Sequence, residues 1–192
     1  MRKILLFALL FSSSIAIGAE ISGYVGKIQF NTKFANEAGL NEEAWTVDGR
    51  IDIDLQEYYS IEFGIGALFV DDKQKFSQEV NYIDDYYYRD TYTAESSEVG
   101  FLLSVAGKIN YPMTDIVSGN MLFGYEYMNF DREIIACDTC YSESIDIDAG
   151  LFLGAGLGIY FGENTELKFQ YKMYLNDGDV DNQALVGISF LM

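Results

Sequence analysis

The sequence predicts an all-β fold, an eight-stranded antiparallel up-and-down β-barrel, on two observations. Eight segments alternate between apolar and polar residues with the period of two that a strand with unlike faces requires. Their connections are alternately long and short, as in a meander whose two ends differ. Composition agrees: 16% of the 192 residues are aromatic, eighteen are Gly and one is Pro, a balance that suits strands better than helices.

The first segment is not part of that pattern. Arg2 and Lys3 precede an apolar run, Ile4 to Phe11, and a small mixed stretch to Ala19. This is the layout of a secretory signal peptide, with an apolar run too short to cross a bilayer. Residues 1–19 are therefore read as the signal and 20–192 as one barrel domain. Losing Arg2 and Lys3 takes the formal charge from −18 to −20, which argues against nucleic-acid binding, since phosphates demand Lys and Arg. The remainder holds no apolar run of eighteen, so no transmembrane helix is expected.

The strands then follow in order. The first places Tyr24, Ile28 and Phe30 on its apolar face. The second is the clearest: Trp45, Val47, Gly49, Ile51, Ile53 and Leu55 oppose Thr46, Asp48, Arg50, Asp52, Asp54 and Gln56. The third shows Ile61, Phe63, Ile65, Ala67 and Phe69; the fourth Val99, Phe101, Leu103, Val105 and Ile109; the fifth Val117, Met121, Phe123, Tyr125 and Tyr127. The sixth, residues 144–161, carries Ile145, Ile147, Ala149, Leu151, Leu153, Ala155, Leu157, Ile159 and Phe161 on one face. The seventh has Leu167, Phe169, Tyr171, Met173 and Leu175, and the eighth Ala184, Val186, Ile188, Phe190 and Met192. None of these apolar faces holds a charged residue. The connections fall at about 31–44, 57–59, 70–97, 110–116, 128–143, 162–165 and 176–182, with no helix expected among them. An even strand number and this rhythm put both termini in the periplasm.

Alternation does not say which face looks inward. A soluble lipocalin-like barrel would enclose a ligand with its apolar face. Three features favour the inverse, a transmembrane barrel. Charges of both signs, at Lys27, Arg50, Asp52, Asp54, Glu62, Lys108, Glu126, Lys168 and Lys172, share the polar face with Gly64, Gly66, Gly124, Gly154 and Gly156, a mixture suited to a narrow packed interior. Trp45, Phe69, Tyr125, Tyr127, Phe161 and Phe190 gather near the ends of the apolar faces, where aromatic girdles meet bilayer interfaces. The last strand also runs to the C-terminus.

In strand count, loop rhythm and the apolar-aromatic final strand Ala184–Met192, the chain resembles the OmpA/OmpX-like, opacity-type group of small outer-membrane barrels. The resemblance implies an outer-membrane location, contact with lipid and lipopolysaccharide, and recognition of the last strand by the barrel-assembly machinery. That strand usually ends on an aromatic residue, whereas here Met192 follows Phe190 by two places. No peptidoglycan-binding domain is expected after this strand.

Chemistry is expected to be absent rather than hidden. Barrel enzymes of this kind use a His, and the chain has none, so no catalytic residue, cofactor or metal is assigned. Asp52 and Asp54, two apart on one strand face, read as partners of Arg50 and neighbouring Lys residues. The interior charges read as a self-neutralising network, with a narrow ion path as the alternative. Cys137 and Cys140 lie in an external loop and read as a disulfide, because an exported chain meets an oxidising compartment. Asp177, Asp179 and Asp181 mimic the start of a calcium loop but lack its Gly and closing acid, which leaves a solvated turn. Tyr82, Tyr86, Tyr87, Tyr88 and Tyr92 crowd a long acidic loop, and Tyr gives contact area at low entropic cost. The function expected is non-enzymatic: envelope integrity, or adhesion to host or surface ligands through the loops.

Overall fold

The computed structural model describes residues 18–72, 76–79, 91–94, 96–134, 142–175 and 177–192. Eight strands close a barrel: β1 (Ala19–Phe30), β2 (Leu40–Gln56), β3 (Tyr59–Asp72), β6 (Ser96–Pro112), β7 (Val117–Ile134), β8 (Ser142–Tyr160), β9 (Thr165–Tyr174) and β10 (Val180–Leu191). Two short strands, β4 (Phe76–Glu79) and β5 (Thr91–Ala94), pair separately as a hairpin between β3 and β6. Every neighbouring pair is antiparallel, and β1 closes against β10. Both ends of the barrel chain and the tight turns lie at one end, here the turn end. The opposite, loop end holds the longer connections.

Register fixes the shape. Trp45 on β2 pairs with Lys27, which leads in turn to Ala184, Tyr171, Ala155, Met121, Ile109 and Tyr59. Tyr59 returns to β2 at Gln56, after a one-residue irregularity that follows Asp54. One circuit therefore climbs ten residues, and a shear of ten over eight strands tilts them by roughly 40°. At that tilt the run from Trp45 to Leu55 covers roughly 25 Å along the barrel axis, the height of a membrane barrel's apolar band.

Outside, that band is continuous. Ile51, Phe63, Ile65, Leu103, Met121, Phe123, Leu153, Phe169 and Ile188 are all exposed, Ile65 to 66%. Such a wall is stable only in lipid, and the lipocalin-like alternative is excluded. Inside the same band most of the buried residues are polar, with Ala106, Leu122 and Leu185 among them.

Towards the loop end the arrangement reverses. Ile28, Phe30, Leu40, Leu68, Val70, Leu102, Met128, Phe130 and Ile147 form an apolar core within the barrel, while Glu43, Asp131, Asp146, Asp148 and Asp181 are exposed. Above the lipid band water surrounds the wall, so the ordinary rule of apolar inside and polar outside returns.

This reversal corrects two sequence readings. On β1, Tyr24, Ile28 and Phe30 point inward and Lys27 outward; the strand leaves the band midway, so its faces exchange character without a break. On β8, Ile145, Ile147 and Ala149 face inward or lie half-buried, whereas Leu151, Leu153, Leu157 and Ile159 face out. The switch is a bulge. Glu126 pairs with Gly150 and Met128 with Ile147, so Asp148 and Ala149 together oppose Tyr127. Gly150, the residue that follows the bulged pair, sits at φ 73°, in the left-handed region that favours glycine.

A third correction is a helix where none was expected, α1 (Thr32–Ala38). Asn31 caps it, its side chain accepting from the Lys33 N–H at 2.9 Å, and Gly39 ends it at φ 71°. Two turns are too short for a clear 3.6-residue pattern, but the flanking Asn and Gly are the usual boundary signals. The helix lies over the loop end: Ala35 is fully buried in the core and Phe34 packs edge-on against Phe30, ring centroids 5.6 Å apart. Strands β3, β6, β7 and β8 also run further towards the loop end than expected, which shortens the connections.

Candidate functional site

Polar side chains fill the membrane part of the barrel because each strand sends alternate residues inward. From the turn end upward they form a ladder of alternating sign. Lys168 contacts Glu20, lies 3.3 Å from Glu166 and 3.9 Å from Asp52. Lys108 pairs with Asp52 at 2.6 Å and reaches Glu62 at 3.9 Å. Arg50, the largest fully buried side chain, donates to Glu62 at 2.8 Å, to Asp48 at 2.7 Å and to Gln170. Its guanidinium stacks on the Tyr24 ring at 4.3 Å. That ring in turn covers Gly187, where an added Cβ would meet Tyr24 Cδ1 at 2.4 Å.

A second cluster stands above it. Lys172 is bonded to Glu126, and its ammonium lies 4.5 Å from the centre of the Phe152 ring. The Tyr174 hydroxyl donates to Glu126 at 2.9 Å, and Gln183 donates to Thr46 at 3.2 Å. Phe152 and Tyr174, rings 6.0 Å apart, begin the apolar core of the loop end.

The sequence-predicted residues thus fall into three groups. Arg50, Asp52, Glu62, Lys108, Glu126, Lys168 and Lys172 are brought together inside. Asp54 is half-buried at the turn-end rim, near Gly18, and Lys27 is on the outer wall. Lys27 pairs there with Glu43 at 2.6 Å and lies 5.2 Å from the Trp45 ring centre. Cys137, Cys140, Tyr82, Tyr86, Tyr87 and Tyr88 lie outside the described residues, and Tyr92 is on β5, paired with Gln78.

Sequence reasoning missed the head's fastening. Arg132 is buried at the loop end and donates to the Ala38 carbonyl at 2.5 Å, at the C-terminus of α1, where a cation is favoured. Asn31 N–H donates to the Asp179 carbonyl at 2.8 Å, and Asp179 in turn holds the Asp148 N–H by its side chain at 2.8 Å. Asp179 is therefore a structural clamp between the last loop-end connection and β8. Among the described residues, no group of three or more His, Cys, Asp or Glu is placed to hold a metal ion.

An apolar wall around a closed, ion-paired interior defines an integral membrane β-barrel. The comparisons name its kind: the family model of the outer membrane protein beta-barrel domain matches residues 4–190, and the chain belongs to that family. Among solved structures it is similar to Ail, the attachment invasion locus protein of Yersinia pestis, with a TM-score of 0.54 and 11% identity over 92% of this chain and 98% of that one. Ail in complex with the heparin analogue sucrose octasulfate gives 0.56 and 14%, covering 92% and 99%. Neisserial surface protein A gives 0.53 and 7%, covering 92% and 97%. At these identities the likeness is one of fold. A search of curated proteins finds no sequence match.

Proposed function

We propose that this outer-membrane barrel is a non-enzymatic surface protein, with its termini in the periplasm and its loop end presented outside the cell to bind macromolecular partners. The observation that carries this reading is the head. Strands continue past the lipid band, enclose an apolar core of their own and are roofed by α1. A barrel needed only as a membrane plug would not require such a platform. The interior supports the same view, because an ion crossing it would have to displace buried, mutually paired charges.

The head's charge narrows the partner. Glu37, Glu43, Asp131, Asp146, Asp148, Asp177 and Asp181 are exposed around Lys27 and Lys33. Ail's structure with a sulfated heparin analogue concerns a polyanion; an acidic head would repel such a ligand and favour a basic protein surface. The test is adherence of cells displaying the protein to immobilised basic and sulfated ligands. Adherence to the basic surface should fall about tenfold when Asp146, Asp148 and Asp181 are replaced by Lys, with the heat-dependent gel mobility of the barrel retained. Equal adherence of the wild-type and charge-reversed proteins would refute a binding role for this face.

A further inference from the structure

We infer that the outer wall carries a site for one phosphorylated anionic lipid, its headgroup on Lys27 and an acyl chain in a groove descending from that residue. The inference rests on the membrane-facing wall and is independent of the binding role proposed for the head.

The groove has a volume of about 1140 Å³ and an almost wholly apolar lining. Its floor is the backbone of one register row, Gly26 to Leu185, Gln170, Gly156 and Asn120, whose side chains turn inward. The outward rows on either side form its walls. On the upper row Ala184 and Ala155 flank Tyr171, and these small side chains leave the groove open. From Trp45 on β2 to Ile109 on β6 it crosses six strand spacings, roughly 29 Å. The strand tilt carries it down the wall by roughly 19 Å, more than the roughly 15 Å depth of one hydrocarbon leaflet.

What singles the groove out from the rest of a lipid-facing wall is its upper end. Lys27 is the only outward-facing cation among the described strand residues, on a chain of strongly acidic charge. It stands beside Trp45, a side chain suited to the headgroup level. Its pairing with Glu43 leaves both side chains about half exposed, at 51% and 57%, and such pairs contribute little. A lipid phosphate can therefore take Lys27 from Glu43 at small cost, with its chain directed into the groove below.

The chain's single Trp is Trp45, so its fluorescence reports on this site. The protein would be reconstituted in vesicles containing brominated phosphatidylglycerol or brominated phosphatidylcholine, and folding would be checked by heat-dependent gel mobility. The anionic lipid should quench Trp45 with an apparent affinity about fivefold above the zwitterionic one. Lys27→Gln should abolish that preference, and Glu43→Gln should increase it. Ala155→Phe, which fills the groove far from Lys27, should reduce it. Equal quenching by the two lipids, or a preference that survives Lys27→Gln, would overturn the site. A preference unchanged in Ala155→Phe would overturn the groove as its acyl seat. Absence of quenching by either lipid would refute the lipid-facing wall as well.

Discussion

The membrane part of the barrel and the head above it are built from the same strands on opposite rules. Around Arg50 the interior is polar and ion-paired, and the outer wall is Ile, Phe and Leu. Around Phe130 the interior is apolar and the outer wall carries Asp131, Asp146 and Asp148. What differs is the solvent outside. Lipid removes the advantage of hiding apolar groups within, so the membrane part is held by closed hydrogen bonding and paired charges. Water restores that advantage a few residues higher.

Each region should fail in its own way. Arg50→Ala removes the guanidinium bonded to buried Asp48 and Glu62, and should cost about 3–5 kcal/mol. Phe130→Ala opens a cavity in the head and should cost a comparable 3–5 kcal/mol or so. Urea unfolding in lipid vesicles would measure both, and protease digestion would separate them. The head variant should become cleavable near α1 while its barrel stays resistant; the Arg50 variant should lose the barrel itself.

Smaller effects sharpen the boundary. Ile65→Lys puts a cation on the lipid-facing wall and should destabilise the protein by about 2–4 kcal/mol. Ser144→Lys, on the exposed wall of the head, should change stability by less than about 0.5 kcal/mol. Similar costs at the two sites would erase the distinction. Gly150→Ala forces a side chain into a left-handed conformation at the bulge and should cost about 1–2 kcal/mol, read from the same unfolding curves.

The membrane part was legible in sequence because residue type and position agree there over long runs. On β2, Trp45 to Gln56 alternates without exception, and the structure keeps the faces from Trp45 to Asp54, after which an irregularity leaves Gln56 exposed beside Tyr59. The head was not legible for two physical reasons. On β1 the outside changes from lipid to water between Val25 and Lys27, so an unbroken alternation in space appears in sequence as mixed faces. On β8 the opposite holds: apolar residues recur at every second position from Ile145 to Phe161, yet the bulge at Asp148 and Ala149, just before Gly150, adds one residue and turns the first three to the other side. Asp146 and Asp148 facing out, together with a Gly inside the run, were the available signals. The ladder was visible as residue types but not as pairs, since pairing depends on a register that the sequence does not state. Lys27 went to the wrong side because it was judged by charge rather than by height.

The central claim, that one wall meets lipid below and water above with the switch at Gly150, is tested most directly by a spin-label scan of β8. Single cysteines would be placed from Ser144 to Ile159, in a background with Cys137→Ser and Cys140→Ser. Accessibility to a water-soluble nickel complex should peak at residues 144, 146 and 148. Accessibility to oxygen should then peak at residues 151, 153, 155, 157 and 159, with the parity reversed across the bulge. An unbroken period of two, with residues 145, 147 and 149 as lipid-exposed as 151 and 153, would contradict the account.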